Sequence, residues 1–280
     1  MNESEVGLAI PIATTTVPVK RILGRNPGPM TGAGTNSYLI GKGRLALLDP
    51  GPRDALQLRG FLEAIAGARL EYILVTHTHG DHSPGALALQ EATGAKLVGL
   101  PAPQVVGQDK TFVPDQLWRD GDIVDCGEFS LQLIATPGHV SNHICFLLRE
   151  EQLLFTGDHI LQGTTSVILP PDGDMEDYLE ALNRLLELPL KALAPGHGSI
   201  MDEPQTKIKA LIAHRLKREQ KVLAALHTLG PSTLDALTPS VYDDVIAHLI
   251  PWAKKTLLAH LIKLERDQKV FQEDEIWQLR

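Results

Sequence analysis

The chain has 280 residues, 43% of them hydrophobic and 21% charged, with a formal net charge of −8. This composition is ordinary for a soluble globular protein, and no apolar run approaches the length of a membrane span. The start, Met1-Asn2-Glu3-Ser4-Glu5, lacks the basic residues and apolar core of a secretion signal, and Cys126 and Cys145 form no spaced metal motif. A cytoplasmic location, no membrane association and two buried, reduced thiols are therefore expected.

The charge is uneven. Residues 1–204 hold 14 Lys+Arg and 25 Asp+Glu, whereas residues 205–280 hold 12 and 9. An acidic first part disfavours tight non-specific binding to polyanions.

Residues 1–20 read as an extended lead-in, and 26–36 as a loop dense in Gly and Pro. Tyr38-Leu39-Ile40 and Arg44 to Leu48 read as strands around a Gly41-Lys42-Gly43 turn. Asp49 ends the second strand, either as a turn former or as an acid that orients a metal-bound His. Asp54 to Ala66 has helical spacing, with Leu56, Leu58, Leu62 and Ile65 on one face. Tyr72-Ile73-Leu74-Val75 is a short buried strand. A helix over 84–92 follows, with Ser83 as N-cap and Pro84 at its first position, and then a strand over 96–100. This strand–helix–strand alternation indicates an α/β layered fold. Residues 101–118 lack periodicity and are expected to be a surface excursion that shapes a substrate mouth.

Between that buried strand and the 84–92 helix lies Thr76-His77-Thr78-His79-Gly80-Asp81-His82. Neutral imidazoles and carboxylates suit zinc and similar ions, and a catalytic ion needs about three protein ligands and an open position. His77 and His79 alternate along an extended segment and can point the same way. Asp81 and His82 lie beyond the Gly80 bend and can face a second ion. Later strands end in the same manner. Phe129 to Ala135 leads to Thr136-Pro137-Gly138-His139, Leu153 to Thr156 leads to Gly157-Asp158, and Lys191 to Ala194 leads to Pro195-Gly196-His197. Strand ends on one edge of a sheet converge, so one site is expected.

The stretch resembles the H-x-H-x-D-H signature of the metallo-β-lactamase-fold hydrolases, and the later His, Asp and His follow in the family's order. The resemblance covers about residues 20–200. It implies a four-layer αββα fold in a catalytic domain over 1–204. It also implies two divalent ions, zinc first, with iron and manganese as alternatives. His77, His79 and His139 would hold one ion, Asp81, His82 and His197 the other, and Asp158 would bridge them. Asp81 is also the residue singled out as catalytic. The run 136–145 is similar to the corresponding run of glyoxalase II enzymes, and His143 is read there as supporting the ligands.

Pro204 to Leu229 reads as a long helix with basic Lys207, Lys209, Lys217, Arg218 and Lys221. Ser232-Thr233-Leu234-Asp235 opens a second helix, Pro251 a third, and Val270 to Leu279 a hairpin. Residues 205–280 thus resemble a winged-helix module, read as a packing or homodimer element ahead of a nucleic-acid reader. With Asn26-Pro27-Gly28-Pro29-Met30-Thr31, it makes the chain look like the lactamase-beta-like protein two and glyoxalase II-like branch. The activity implied is hydrolysis of a small-molecule ester or thioester by a water ionised between two ions. Single-stranded RNA cleavage by the same site is the alternative, and a mononuclear iron sulfur dioxygenase is the third reading. A bridging carboxylate and the missing export signal argue against antibiotic hydrolysis.

Overall fold

The computed structural model describes residues 5–12 and 15–280. The acidic start at 1–4 and positions 13–14 of the lead-in lie outside the described residues. Two compact units divide the chain. The first comprises Met1–Thr136, Asn142–Thr164 and Pro189–Pro204, and the second Pro137–Ser141, Thr165–Leu188 and Gln205–Arg280.

In the first unit one sheet follows the order of the chain: β1 (Ala9–Pro11), β2 (Val19–Leu23), β3 (Asn36–Gly41), β4 (Arg44–Leu48), β5 (Arg69–Leu74) and β6 (Lys96–Val98). The strands from β1 to β4 are antiparallel neighbours. β4, β5 and β6 are parallel, because the helices α1 (Ala55–Ile65) and α2 (Gly85–Thr93) carry the chain back between them. The second sheet contains β7 (Ile123–Asp125), β8 (Ser130–Ala135), β9 (Ile144–Leu148), β10 (Leu153–Gly157), β11 (Ala192–Pro195) and β12 (Met201–Asp202), in the order β12-β11-β10-β9-β8-β7. There only β10 and β11 are parallel.

The sheets face one another across an apolar core. Tyr38, Ile40 and Leu48 of the first meet Leu131, Phe146 and Phe155 of the second. On its other side the first sheet packs Ile73 and Leu97 against Phe61, Ile65 and Leu89 of the two helices. A strand covered on both faces reads as a continuous apolar run, which is why 72–75 looks as it does. Within each sheet two parallel neighbours end at one edge: β4 and β5 at Leu48 and Leu74, β10 and β11 at Gly157 and Pro195. The ligand-type residues come just after those ends.

Three local expectations are corrected. α1 buries Gln57, Phe61 and Ile65, while Leu56 and Leu62 are 54% and 39% exposed. The inward face is one position away from the one the leucines suggest, because the Gln57 amide is drawn in to bond the Pro50 carbonyl at 3.0 Å. Ser83 is not the cap of α2. Pro84 holds that position without a side-chain bond, and the Ser83 hydroxyl donates instead to Asp109 at 2.7 Å. The lead-in is not merely extended, since β1 forms within it and pairs with β2, which runs on from its end to Leu23.

The second unit contains α3 (Met175–Leu186), capped by Asp174, α4 (Pro204–Leu229) from its second residue on, α5 (Leu234–Val241) and α6 (Ile250–Arg266). Its small sheet places β13 (Ser232–Thr233), β15 (Ile276–Leu279) and β14 (Val270–Glu273) side by side, so the expected hairpin gains a third strand. Leu226, Leu237, Val241, Leu257, Leu261 and Trp277 fill its core. Cys126 and Cys145 are both buried and free. Among the described residues, no helix is long and apolar enough to cross a membrane.

Candidate metal centre

Six of the seven ligand-type residues lie in the first unit: His77, His79, Asp81, His82, Asp158 and His197. Each follows the end of β5, β10 or β11. His139 belongs to the 137–141 segment of the second unit, in the loop between β8 and β9.

Hydrogen bonds fix the imidazoles in a common state. Asp49 accepts from the Thr76 backbone N–H and hydroxyl, both at 2.8 Å. The Thr76 oxygen is thereby left to accept from His77 Nδ1 at 3.0 Å. Asp49 also accepts from His82 Nδ1 at 2.9 Å. His197 Nδ1 donates to the Gly34 carbonyl at 3.2 Å, and His139 Nδ1 to the Val167 carbonyl at 2.7 Å. An imidazole whose Nδ1–H is held by an oxygen keeps its Nε2 lone pair for a ligand. Four rings are prepared in this way. His79 differs, with its Nδ1 3.0 Å from His77 Nε2.

The donors of the inner group fit a small cation. His82 Nε2 lies 3.4 Å from Asp158 Oδ1 and 3.7 Å from an Asp81 oxygen, and His197 Nε2 lies 3.3 Å from each of the same two carboxylates. Four donors about 2.0–2.1 Å from a tetrahedral zinc ion lie about 3.3–3.4 Å apart. Asp81, His82 and His197 form one group that can hold an ion, and His77, His82 and Asp158 form another. His82 Nε2 is buried and makes no hydrogen bond. Room is kept by glycines: a Cβ on Gly196 would stand 2.8 Å from Asp158 Oδ1 and from His82 Cε1. A buried imidazole nitrogen facing carboxylates across a space that no side chain fills suits a transition-metal ion.

The charges of the metal-free group point the same way. Burial opposes a proton on His82, but Asp81, Asp158 and Asp49 outweigh it and raise its pKa well above the usual value. Burial likewise opposes a charge on His197, yet Asp158 and Asp81 lift it to about 9. Burial would raise Asp81, but His82 and His197 hold it down at about 2. The same two rings pull Asp158 well below the usual carboxylate range against its burial. His77, buried among other imidazoles, is pushed well below its usual value. In the metal-free chain protons on His82 and His197 neutralise the carboxylates, and a bound cation takes over that role.

His143 stacks on His77 with ring centroids 5.1 Å apart, and its Nδ1 meets the Thr136 hydroxyl at 2.8 Å. Its Nε2 accepts the Asp158 backbone N–H at 3.2 Å, so it fixes the chain that carries Asp158. The sequence reading gave Thr76 no role, although it links Asp49 to His77. Nothing in a Thr before a His signals such a link; it depends on the register of β4 beside β5. The 101–118 excursion is tied to the ligand stretch. His79 pairs with Gln108, the Asp109 N–H donates to the Thr78 carbonyl at 2.6 Å, and the Thr78 hydroxyl donates to Gln108 at 2.7 Å.

Residues 30–197 match the metallo-beta-lactamase superfamily, and residues 233–277 match the beta-lactamase associated winged helix domain. A Caenorhabditis elegans beta-lactamase-like protein 2 homolog is 33% identical over 91% of the chain and 84% of its own length. An atrochrysone carboxyl ACP thioesterase from Aspergillus fumigatus is 35% identical over 90% of the chain and 82% of its own length. A solved metallo-beta-lactamase family protein from Thermus thermophilus superimposes with a TM-score of 0.76 at 22% identity, covering 94% of this chain and 98% of that one. The α/β fold, with two facing sheets and a C-terminal winged helix, is thus the metallo-beta-lactamase fold. The chain belongs to the metallo-beta-lactamase superfamily and is one of its hydrolases.

Proposed function

We propose that this hydrolase cleaves acyl thioesters through a two-ion centre. His77 and His79 would contribute to one ion, Asp81, His82 and His197 would hold the other, with Asp158 shared. The observation that carries the reading is the spacing of His82, His197, Asp81 and Asp158 at 3.3–3.7 Å, with Asp49 and Gly34 turning both Nε2 atoms inward. When bound, zinc-like ions supply Lewis acidity and a water ionised near neutral pH.

The chain's own residues do the rest. Asp49 and Thr76 hold His77 and His82 in one tautomer. Gly196 leaves the space beside Asp158 and His82 open. The Gln108 and Asp109 bonds press the 101–118 loop along the ligand stretch. That loop exposes Val106 fully, two residues before the Gln108 that pairs with His79, and so offers apolar surface to an acyl group there.

Two observations favour a thioester over RNA. A relative aligned over nearly the whole chain carries the name of an acyl carrier protein thioesterase. Three of the four Lys and Arg residues of α6 are paired with acids inside the second unit, Lys254 with Asp235, Lys263 with Glu219 and Asp267, and Arg266 with Asp174 and Glu176. A helix that reads nucleic acid needs such cations free for phosphates.

The test is thiol release from a panel of acyl-pantetheine thioesters by zinc-loaded wild type and Asp81→Ala, each before and after chelation and zinc return. Release that is lost on chelation, restored by zinc and lost in the variant is expected. Release unaffected by chelation and by Asp81→Ala would refute the assignment.

A further inference from the structure

The segment Gly34 to Tyr38 contributes nothing to the ligand pattern, yet it holds the loop that carries His197. Asn36, at the first position of β3, is completely buried. Its backbone N–H donates to the Gly196 carbonyl at 2.7 Å. Its side-chain nitrogen donates to the Pro195 carbonyl at 3.0 Å and to the Gly198 carbonyl at 2.8 Å. The Tyr38 hydroxyl donates to the same Pro195 carbonyl at 2.8 Å. Three carbonyls of Pro195-Gly196-His197-Gly198 are therefore held by one residue. Only the nitrogen end of an amide can meet two carbonyls, so the orientation of the Asn36 side chain is determined.

The other side of the tetrapeptide is tied as well. The Gly196 N–H donates to the carbonyl of Gly157, the residue before Asp158, at 2.8 Å. The loop turns through Gly198 at a φ of +91°, where glycine's freedom gives it little stiffness of its own. Its shape must come from what grips it.

We propose that Asn36 is the positioning residue for His197, setting the loop so that His197 Nε2 stays 3.3 Å from both Asp81 and Asp158. The proposal rests on the reading that these residues hold one of two ions. Asn suits the task because one neutral side chain supplies two donors to two carbonyls. Asp at this position would face the same carbonyls with an acceptor, and Ala would leave both without that partner.

The experiment uses the full chain as wild type, Asn36→Ala, Asn36→Asp and His197→Ala. Zinc is titrated into the metal-free proteins against a chromophoric chelator, and backbone hydrogen exchange is followed at Gly196, His197 and Gly198 without metal. Both Asn36 variants are expected to bind one equivalent as the wild type does and the other about 10–100-fold more weakly. Exchange at 196–198 is expected to accelerate while other core amides stay protected. Thioester kcat is expected to fall at limiting zinc and recover in excess zinc, with KM unchanged. Wild-type affinity for both equivalents with unchanged exchange overturns the proposal, as does an equal loss at both sites with exchange raised throughout. If His197→Ala removes no equivalent from the wild-type count, the two-ion reading has failed, and exchange at 196–198 alone decides whether Asn36 holds the loop.

Discussion

Gly157 sits where two supports of the centre, Thr76 and His143, meet. A Cβ there would stand 2.6 Å from the Thr76 hydroxyl oxygen, 2.7 Å from Thr76 Cβ and 2.8 Å from His143 Nε2. Thr76 is held by Asp49 and His143 bonds the Asp158 backbone, so the added methyl would push on both. Overpacking of this kind costs about 1–3 kcal/mol. Gly157→Ala should lower the melting temperature and weaken zinc binding together, read by calorimetry and chelator competition. A second residue acts far from the centre. His260 is fully buried in the second unit, 3.5 Å from Glu219. Burial first, then Arg215 and Arg218, push its pKa from 6.5 down to about 4, against the pull of Glu219. The unfolded chain therefore takes up this proton before the folded one does. Stability from this group is complete above about pH 6.5, falls as the pH drops towards 4 and levels off below, by up to about 3 kcal/mol in all. Urea unfolding of His260→Leu between pH 7 and 4 should show a shallower decline than the wild type. The ligand-type residues were legible because metal chemistry admits few residue types and the strand-end spacing repeats. Asn36 and Thr76 were not, because an Asn after a Gly-rich loop reads as a turn and a Thr before a His reads as nothing.

The parallel pairs β4–β5 and β10–β11 decide which side chains meet, and their placement was visible as short apolar runs ending in polar motifs. The face of α1 was harder to read. Four apolar residues at helical spacing suggested one face, but the polar Gln57 turns inward and Phe61 packs with it. Periodicity cannot anticipate an amide that finds a backbone partner inside. The 101–118 excursion was legible as a loop from its prolines. Its grip on Thr78 and His79 was not, because those bonds run mainly to backbone and to Gln108 and Asp109, which carry no motif. That grip brings Val106 within two residues of the pairing with His79. Val106→Asp should reduce kcat/KM for long acyl thioesters by roughly tenfold, the worth of a few lost apolar contacts. Acetyl thioesters and zinc affinity should be unchanged, as steady-state assays across a chain-length series can establish.

Along the whole chain the formal charge is uneven. Residues 1–204 are acidic by formal count, and half of the twelve Lys and Arg of residues 205–280 pair with acids: Arg218 with Asp244, Lys221 with Asp243, Lys254 with Asp235, Lys263 with Glu219, Arg266 with Asp174 and Lys269 with Asp267. An exposed ion pair adds little stability, but it leaves less charge free for a phosphate backbone. This is why Arg218 and Lys221 of α4, prominent in the sequence, carry less weight once their partners are known. The most direct measurement gives the zinc-loaded full chain, as wild type and Asp158→Asn, an acyl-pantetheine thioester and a labelled single-stranded RNA in parallel. Thiol release by the wild type, reduced on the order of 100-fold or more in the variant because a direct ligand should exceed the loss from an outer-shell partner, with the RNA intact in both, is the expected result. RNA cleavage that Asp158→Asn abolishes, with no thiol released from any thioester by the wild type, would contradict it.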